Sequence, residues 1–202
     1  MRTKLPILVG GGLVLGICAG LLLIPGAMRG LVSGDVVRTV GTATVGGPFK
    51  LTDHKGKAVT EQDFRGRHML VFFGFTFCPD VCPTALQVSS AALEKLGAKA
   101  ERVTPVFISV DPERDTPEQL ARYVSSFHPR LVGLSGSPQD VAAVAKAFRV
   151  YYRKTKDERS AAEYTIDHSS IIYLMGPDGK FITHFTHTTT VDAMVASLRR
   201  HL

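Results

Sequence analysis

Met69-Leu70-Val71-Phe72-Phe73-Gly74-Phe75-Thr76-Phe77-Cys78-Pro79-Asp80-Val81-Cys82-Pro83 joins a nearly all-apolar, aromatic run to two cysteines four residues apart. The composition of Met69 to Phe77 predicts a strand covered on both faces of a sheet. Asp80 is a candidate N-cap for a following helix, and Pro83 fits a first turn. Leu86, Leu93 and Leu96 give that helix one apolar face, ending near Gly97. The local order is therefore strand, cysteine motif, helix. Four residues is about one helical turn, which puts both sulfurs on one face with Cα atoms about 6 Å apart. Such a pair can close a disulfide or grip a soft metal ion.

Outward from this stretch, Val106 to Val110 predicts a second buried strand. Thr116-Pro117-Glu118-Gln119 follows as a capping box with proline at the first helical position, and Ser137-Pro138-Gln139-Asp140 repeats the device. Val141, Val144, Ala145 and Phe148 continue the latter as an amphipathic helix. Ser170 to Met175 and Lys180 to His184 flank Gly176-Pro177-Asp178-Gly179, a hairpin signal. Val191, Met194, Val195 and Leu198 form a last helix with Thr190 as its cap. Strands alternating with helices, then a hairpin and a terminal helix, indicate an α/β domain with a mixed sheet. Ligand sites in such sheets gather at the carboxyl ends of strands, where Cys78 and Cys82 stand.

Upstream, residues 5–28 carry no charge, and these 24 residues would span about 36 Å as a helix, enough to cross a bilayer core. Arg2 and Lys4 precede the run, which predicts a cytoplasmic N-terminus and places everything after Arg29 on the far side. A cleaved signal peptide is the competing reading, but the run exceeds a usual h-region and no A-x-A site follows. Cys18 lies within the run, and Ile17 before it is not the small residue that lipidation would want. Gly12, Gly16 and Gly20 have the spacing that lets two membrane helices approach, so dimerisation through the anchor is one expectation. The expected organisation is an anchor over 1–29, a Gly-, Val- and Thr-rich tether over 30–48, and one domain over 49–202. The formal charge is +6; without Arg2, Lys4 and Arg29, 21 basic residues oppose 18 acidic ones, a balance that gives nucleic-acid binding no support.

A thiolate is both the nucleophile of disulfide exchange and a soft ligand, and a helix N-terminus stabilises its charge. A static disulfide is the third reading, though its short loop would remove little chain entropy. Cu(I) accepts two or three soft ligands, whereas structural zinc usually takes four protein ligands. With no other cysteine in the domain, a further ligand must be His or Met, and the histidines are His54, His68, His128, His168, His184, His187 and His201. His168 stands out, since it lies just before a buried strand where a loop could lean over the cysteine helix. His184 and His187 are a secondary candidate pair, three apart at the end of a strand. Asp80, Asp111 and Asp115 are candidates for supporting or docking roles, Asp115 through a pairing with Arg114 or its neighbours.

F-G-F-T-F-C-P-D-V-C-P at 73–83, S-V-D-P-E-R-D-T at 109–116 and D-H-S-S-I-I-Y-L-M-G-P-D-G at 167–179 together resemble the Sco/SenC family of membrane-anchored copper proteins. The resemblance covers nearly all of residues 45–202, including Phe148-Arg149-Val150-Tyr151-Tyr152. It implies a thioredoxin-like domain, single-pass in a bacterial inner membrane with the C-terminal domain in the periplasm. By that similarity Cys78, Cys82 and His168 are ligands for Cu(I) or Cu(II). The implied role is assembly of the dinuclear copper centre of cytochrome c oxidase, with the copper-site subunit as target and an upstream copper donor and thiol reductant as further partners. Thiol-disulfide reduction through Cys78 and Cys82, and redox or copper sensing, are alternative roles. Thioredoxin-type oxidoreductases carry C-x-x-C and a facing cis-proline; this chain has C-x-x-x-C and Ile166-Asp167-His168 instead. Peroxiredoxins place a threonine three residues before the catalytic cysteine, whereas Thr76 precedes Cys78 by two.

Overall fold

The computed structural model describes residues 44–156 and 163–202. The expected anchor over 5–28 lies outside the described residues, as does most of the expected tether. Among the described residues no helix is long and apolar enough to cross a membrane.

Nine strands are described: β1 (Lys50–Asp53), β2 (Ala58–Thr60), β3 (His68–Gly74), β4 (Val103–Ser109), β5 (Val132–Ser135), β6 (Tyr152–Lys156), β7 (Tyr164–His168), β8 (Ile171–Met175) and β9 (Phe181–Thr186). Helices α1 (Val81–Leu96), α2 (Pro117–Val124), α3 (Pro138–Ala147) and α4 (Val191–His201) complete the domain with two short 3-10 turns. Seven strands form one sheet in the order β2-β1-β5-β4-β3-β8-β9, and β6-β7 form a separate two-stranded ribbon. β3, β4 and β5 are parallel, whereas β8 runs antiparallel to β3 and β1 antiparallel to β5. This is a thioredoxin-like α/β fold with a mixed sheet flanked by helices, as expected.

Every residue of β3 and of β4 is buried, which explains their unbroken apolar character. Phe72, Phe73, Phe107, Ile108 and Leu174 are at the centre of the core. α1 buries Cys82, Ala85, Leu86, Leu93 and Leu96 and packs against α4, which buries Met194, Val195 and Leu198.

Several boundaries differ from expectation. β3 stops at Gly74 rather than Phe77, because the Thr76 N–H donates to the Asp115 carboxylate (3.0 Å) instead of to a ladder partner. β4 begins at Val103 rather than Val106. Pro105 pairs in register only with Leu70 of β3, the β5 ladder starting at Val106, so its missing N–H opens no gap on that side. Tyr164 to His168 is a strand rather than a loop, paired with β6 in the register Tyr152↔His168. The Thr116 box is half made: Thr116 accepts from the Gln119 N–H, but the Gln119 side chain donates to Thr76 instead. Thr190 and Ser137 cap their helices as expected, and β8 and β9 form the expected hairpin.

Two registers set the site. Gly74 lies beside Ser109, so the loops leaving β3 and β4 emerge together, joined by the Val110 N–H to the Gly74 carbonyl (2.8 Å). Phe72 pairs with Ile172, so the residues just before β8 arrive alongside the cysteine loop.

Gly74 is the tight point, since a Cβ there would lie 2.7 Å from Cys82 Sγ and 2.9 Å from Phe107 Cε2. Gly74→Ala should therefore lower stability by about 1–3 kcal/mol, read from the urea midpoint. An unchanged midpoint would mean that the sulfur and the ring have room to move.

Candidate metal centre

The cysteine loop turns immediately after β3, with the Cys78 N–H donating to the Phe75 carbonyl (3.2 Å). Asp115 holds this turn from below. Its carboxylate, wholly buried, accepts from the Thr76 N–H, from Thr76 Oγ1 (2.7 Å) and from Ser109 Oγ (2.6 Å). The expected pairing of Asp115 with Arg114 is not formed; Arg114 pairs with Asp111 instead. Burial pushes the Asp115 carboxyl upward from the usual range, and the hydrogen bonds from Ser109 and Thr76 oppose that push.

Asp80 stands at the N-cap position of α1, but its carboxylate takes the Thr84 hydroxyl (3.3 Å) and caps no backbone N–H. The Cys82 N–H donates to Cys78 Sγ at 3.4 Å instead. A sulfur thus stands where the oxygen of an ordinary cap would be, in the positive field of a helix N-terminus.

The two sulfurs are not equivalent. Cys82 is completely buried, whereas Cys78 is half-buried. A hydrogen bond from the Cys82 thiol lowers the Cys78 pKa to about 4, against the cost of burial and with help from the His168 ring and then from the Cys82 and Asp80 N–H groups. The same bond, together with burial, pushes the Cys82 thiol upward. Both shifts point the same way and favour the negative charge on Cys78 over Cys82.

His168 closes the group from the end of β7. Its Nε2 lies 3.4 Å from Cys82 Sγ. Its Nδ1 lies 3.2 Å from the Ser169 carbonyl, which can only accept, so in the neutral ring the proton sits on Nδ1 and the Nε2 lone pair faces the sulfurs. The ring is held edge-on to Phe72 and Phe75 at centroid distances of 6.0 and 5.9 Å. The strand end is fixed in turn, Ser169 N–H donating to the Tyr151 carbonyl and Tyr151 N–H to Ser169 Oγ.

The donor atoms of Cys78, Cys82 and His168 all lie within 4.8 Å of one another, the only group of three or more His, Cys, Asp or Glu among the described residues. These three atoms are the ones that would hold a single ion. Two sulfurs and one imidazole are a soft set that suits copper, and a buried fourth protein ligand of the kind structural zinc takes is missing from the group.

The other histidines are engaged elsewhere. His54 Nδ1 accepts from the Gly133 N–H, His128 Nδ1 accepts from the Arg130 N–H, and His68 is buried. His184 stacks on Phe181, so the His184 and His187 pair is not brought into a metal-binding group, and neither is His201. Sequence reasoning missed three contributors: the Ser169 carbonyl that sets the His168 tautomer, Gly74 that admits the sulfur, and Tyr164. The alternation of Tyr164 and Ile166 with polar residues was the available signal for β7. Tyr123 was missed too; its hydroxyl is buried with no hydrogen-bond partner among the described residues. Burial first, then negative charge at the cysteine pair and at Asp115, pushes that phenol upward.

The asymmetry of the pair is testable by alkylation. In the reduced protein iodoacetamide should modify Cys78 before Cys82, at a rate nearly flat from pH 9 down to about 6 and falling below about pH 4, where the Cys78 thiolate is protonated. A rate falling tenfold per unit from pH 8 downward, as for an ordinary thiol, contradicts the assignment.

The family model described as SCO1/SenC matches residues 37–202. The mitochondrial SCO1 homolog of Homo sapiens is 44% identical over 168 residues, 82% of this chain and 55% of that protein. The chain spans about half the length of the curated relatives it matches. The structure of Bradyrhizobium japonicum ScoI with copper bound is 48% identical at a TM-score of 0.72, covering 78% of this chain and 99% of that one. The structure of BsSco is 27% identical at a TM-score of 0.61, covering 78% and 93% of the two chains. BsSco is described as a member of the Sco family of cytochrome c oxidase assembly proteins, with a disulfide switch. With the family model matched over residues 37–202 and a relative 44% identical over 82% of the chain, the chain belongs to the SCO1/SenC family.

Proposed function

We propose that this protein carries a copper ion on Cys78, Cys82 and His168 and passes it to the copper-site subunit of cytochrome c oxidase. The observation that carries this reading is the convergence of two sulfurs and a lone-pair-bearing Nε2 within 4.8 Å at the end of β3. Copper in the Bradyrhizobium relative and the membership of BsSco in a family of cytochrome c oxidase assembly proteins support the same choice. A three-donor set leaves a coordination position open. An incoming thiolate or imidazole of the target binds there first, and Cys78, His168 and Cys82 then release in turn. Binding and transfer use the exposed side of the pair, because Cys82 has no path to solvent of its own.

The uncharged segment 5–28 behind Arg2 and Lys4 supports a membrane anchor that places the domain on the far side of the bilayer. In a bacterium that side is the periplasm, where the target subunit and an upstream copper donor meet the protein. Such a compartment is oxidising, so an external thiol reductant keeps the pair open.

A second reading is favoured by the lowered pKa of Cys78. The Cys78 thiolate attacks one sulfur of a target disulfide and releases the other as a thiolate, giving a mixed disulfide. Cys82 then loses its proton and attacks Cys78 Sγ, freeing the second target thiol and closing the Cys78–Cys82 disulfide. Two electrons pass to the target, and the external reductant restores the pair. In this order, reduction of target cysteines precedes their loading with copper.

The test uses the reduced full-length protein, Cu(I) and a competing chelator. His168→Ala should lower copper retention about 10–100-fold while leaving disulfide exchange with a target peptide intact. Cys78→Ser with Cys82→Ser should abolish both activities. Unchanged copper retention in His168→Ala sinks the ligand role of His168. A double cysteine variant that holds copper as well as the parent sinks the copper reading.

A further inference from the structure

His168 sits on a ribbon that the sheet does not hold. β6 and β7 pair only with each other, and an isolated two-stranded ribbon is marginal in water. Beyond the two-residue link from His168 into β8, the approach of His168 to the sulfurs depends on what ties the ribbon to the body of the domain.

Those ties converge on the loop between β4 and α2. The Arg114 guanidinium carbon lies 3.8 Å from the centroid of the Tyr164 ring, 4.8 Å from that of Phe77 and 5.8 Å from that of Phe75. Arg114 Nη1 donates to the Tyr164 carbonyl (3.0 Å), and Nε donates to the wholly buried Asp111. The Tyr164 hydroxyl donates to the other oxygen of Asp111 (2.8 Å). Tyr164 is thus held at its ring, its carbonyl and its hydroxyl by one turn, itself closed by the Arg114 and Asp115 N–H groups on the Asp111 carbonyl. Lys154 of β6 adds an ion pair to Glu113 of the same loop and lies 4.5 Å from the Tyr164 ring centroid.

Tyr164 and His168 are the two ends of β7, and their spacing of four puts both on one face of the strand. Holding Tyr164 therefore fixes the roll of the strand and with it the approach of the imidazole. Phe75 links the ends a second time, its ring lying against both Arg114 and His168. Phe77, half exposed beside Cys78, joins the cysteine loop to the same cation.

We infer that Arg114, braced by Asp111 and stacked on Tyr164, is a positioning residue that seats the His168 ribbon over the cysteine loop. Arg114 acts through Tyr164 and Phe75. The inference rests on the reading of His168 as a copper ligand. Lysine is no substitute, because stacking on three rings while donating in two directions needs the planar fork of a guanidinium.

The test compares the reduced full-length parent with Arg114→Ala, His168→Ala and the double variant. Copper(I) retention is measured against a chelator, the His168 ring nitrogens are followed by NMR, and amide exchange of 164–168 is followed in metal-free protein. Arg114→Ala should lower retention about tenfold or more, weaken the copper-induced shift at His168 Nε2, and cause no further loss in the His168→Ala background. Losses that simply multiply in the double variant, or an undiminished Nε2 shift, overturn the positioning role. In the metal-free protein Arg114→Ala should speed exchange at Ile166 and His168; unchanged exchange overturns the inference whatever copper does. Accelerated exchange in a protein whose copper binding ignores His168 supports the clasp and overturns the ligand reading instead. If Arg114→Ala does not fold, Tyr164→Phe, which loses only the hydroxyl bond to Asp111, should show a smaller loss of the same kind, and its absence overturns the inference.

Discussion

Strand β3 ends where its backbone stops finding ladder partners, and everything at the site follows from how that end is finished. At Gly74 the carbonyl still takes the Val110 N–H, but two residues later the Thr76 N–H is claimed by the Asp115 carboxylate. A buried carboxylate accepting three hydrogen bonds is costly to displace, because each donor left unpaired would carry its own desolvation penalty of about 1–3 kcal/mol. The chain is thereby forced to turn at Phe75 to Phe77 and to start α1 with Cys78 still outside it. Phe75 remains buried while Phe77 emerges half exposed. An apolar run that reads as one continuous strand is thus divided by a single carboxylate from another loop.

The same turn breaks the symmetry of the cysteine pair. Cys78 Sγ receives the Cys82 N–H at the mouth of α1, while Cys82 Sγ is sealed beneath the helix against Gly74. One sulfur has access to solvent, and the other has none. A helix N-terminus contributes about 0.3–2 kcal/mol to a nearby anion, and the neighbouring thiol adds its own hydrogen bond. The pair is therefore prepared for nucleophilic attack and for soft-metal binding by one arrangement, and the facing imidazole favours the metal. Shared preparation explains how one fold can serve both copper handling and disulfide exchange without rebuilding its site.

Much of this was legible in particular residues. The two buried strands, the helix after the cysteines, the Thr190 and Ser137 caps and the β8–β9 hairpin were signalled by local patterns of period two or 3.6 and by turn residues. β7 was not: in Tyr164 to His168 a strand was taken for a loop because its partner β6, Tyr152 to Lys156, is charged and shows little apolar alternation. The reading of Asp80 as a cap had the right position and the wrong acceptor, since a sulfur two residues earlier is closer to the N–H in need. The Thr116 box was half right, as its Gln119 side chain is drawn off to Thr76 by a contact 43 residues long.

By itself the sequence determined that two cysteines on one helical turn follow a buried strand, and that their chemistry is that of thiolates at a helix start. It also carried, in three motifs, the resemblance that names the family. Position and the resemblance already singled out His168 among seven histidines, but only the tertiary structure brought it to the pair, because the contact between Cys82 and His168 crosses 86 residues and depends on the pairing of β8 with β3. It alone gave the His168 Nδ1 its carbonyl acceptor, made the two sulfurs unequal, and brought Tyr164 of the ribbon against Arg114 and Asp111. The physical reason is one of range: spacing along the chain fixes which side chains share a turn or a strand face, whereas the meeting of distant loops is fixed by strand register and by which buried donors must be satisfied.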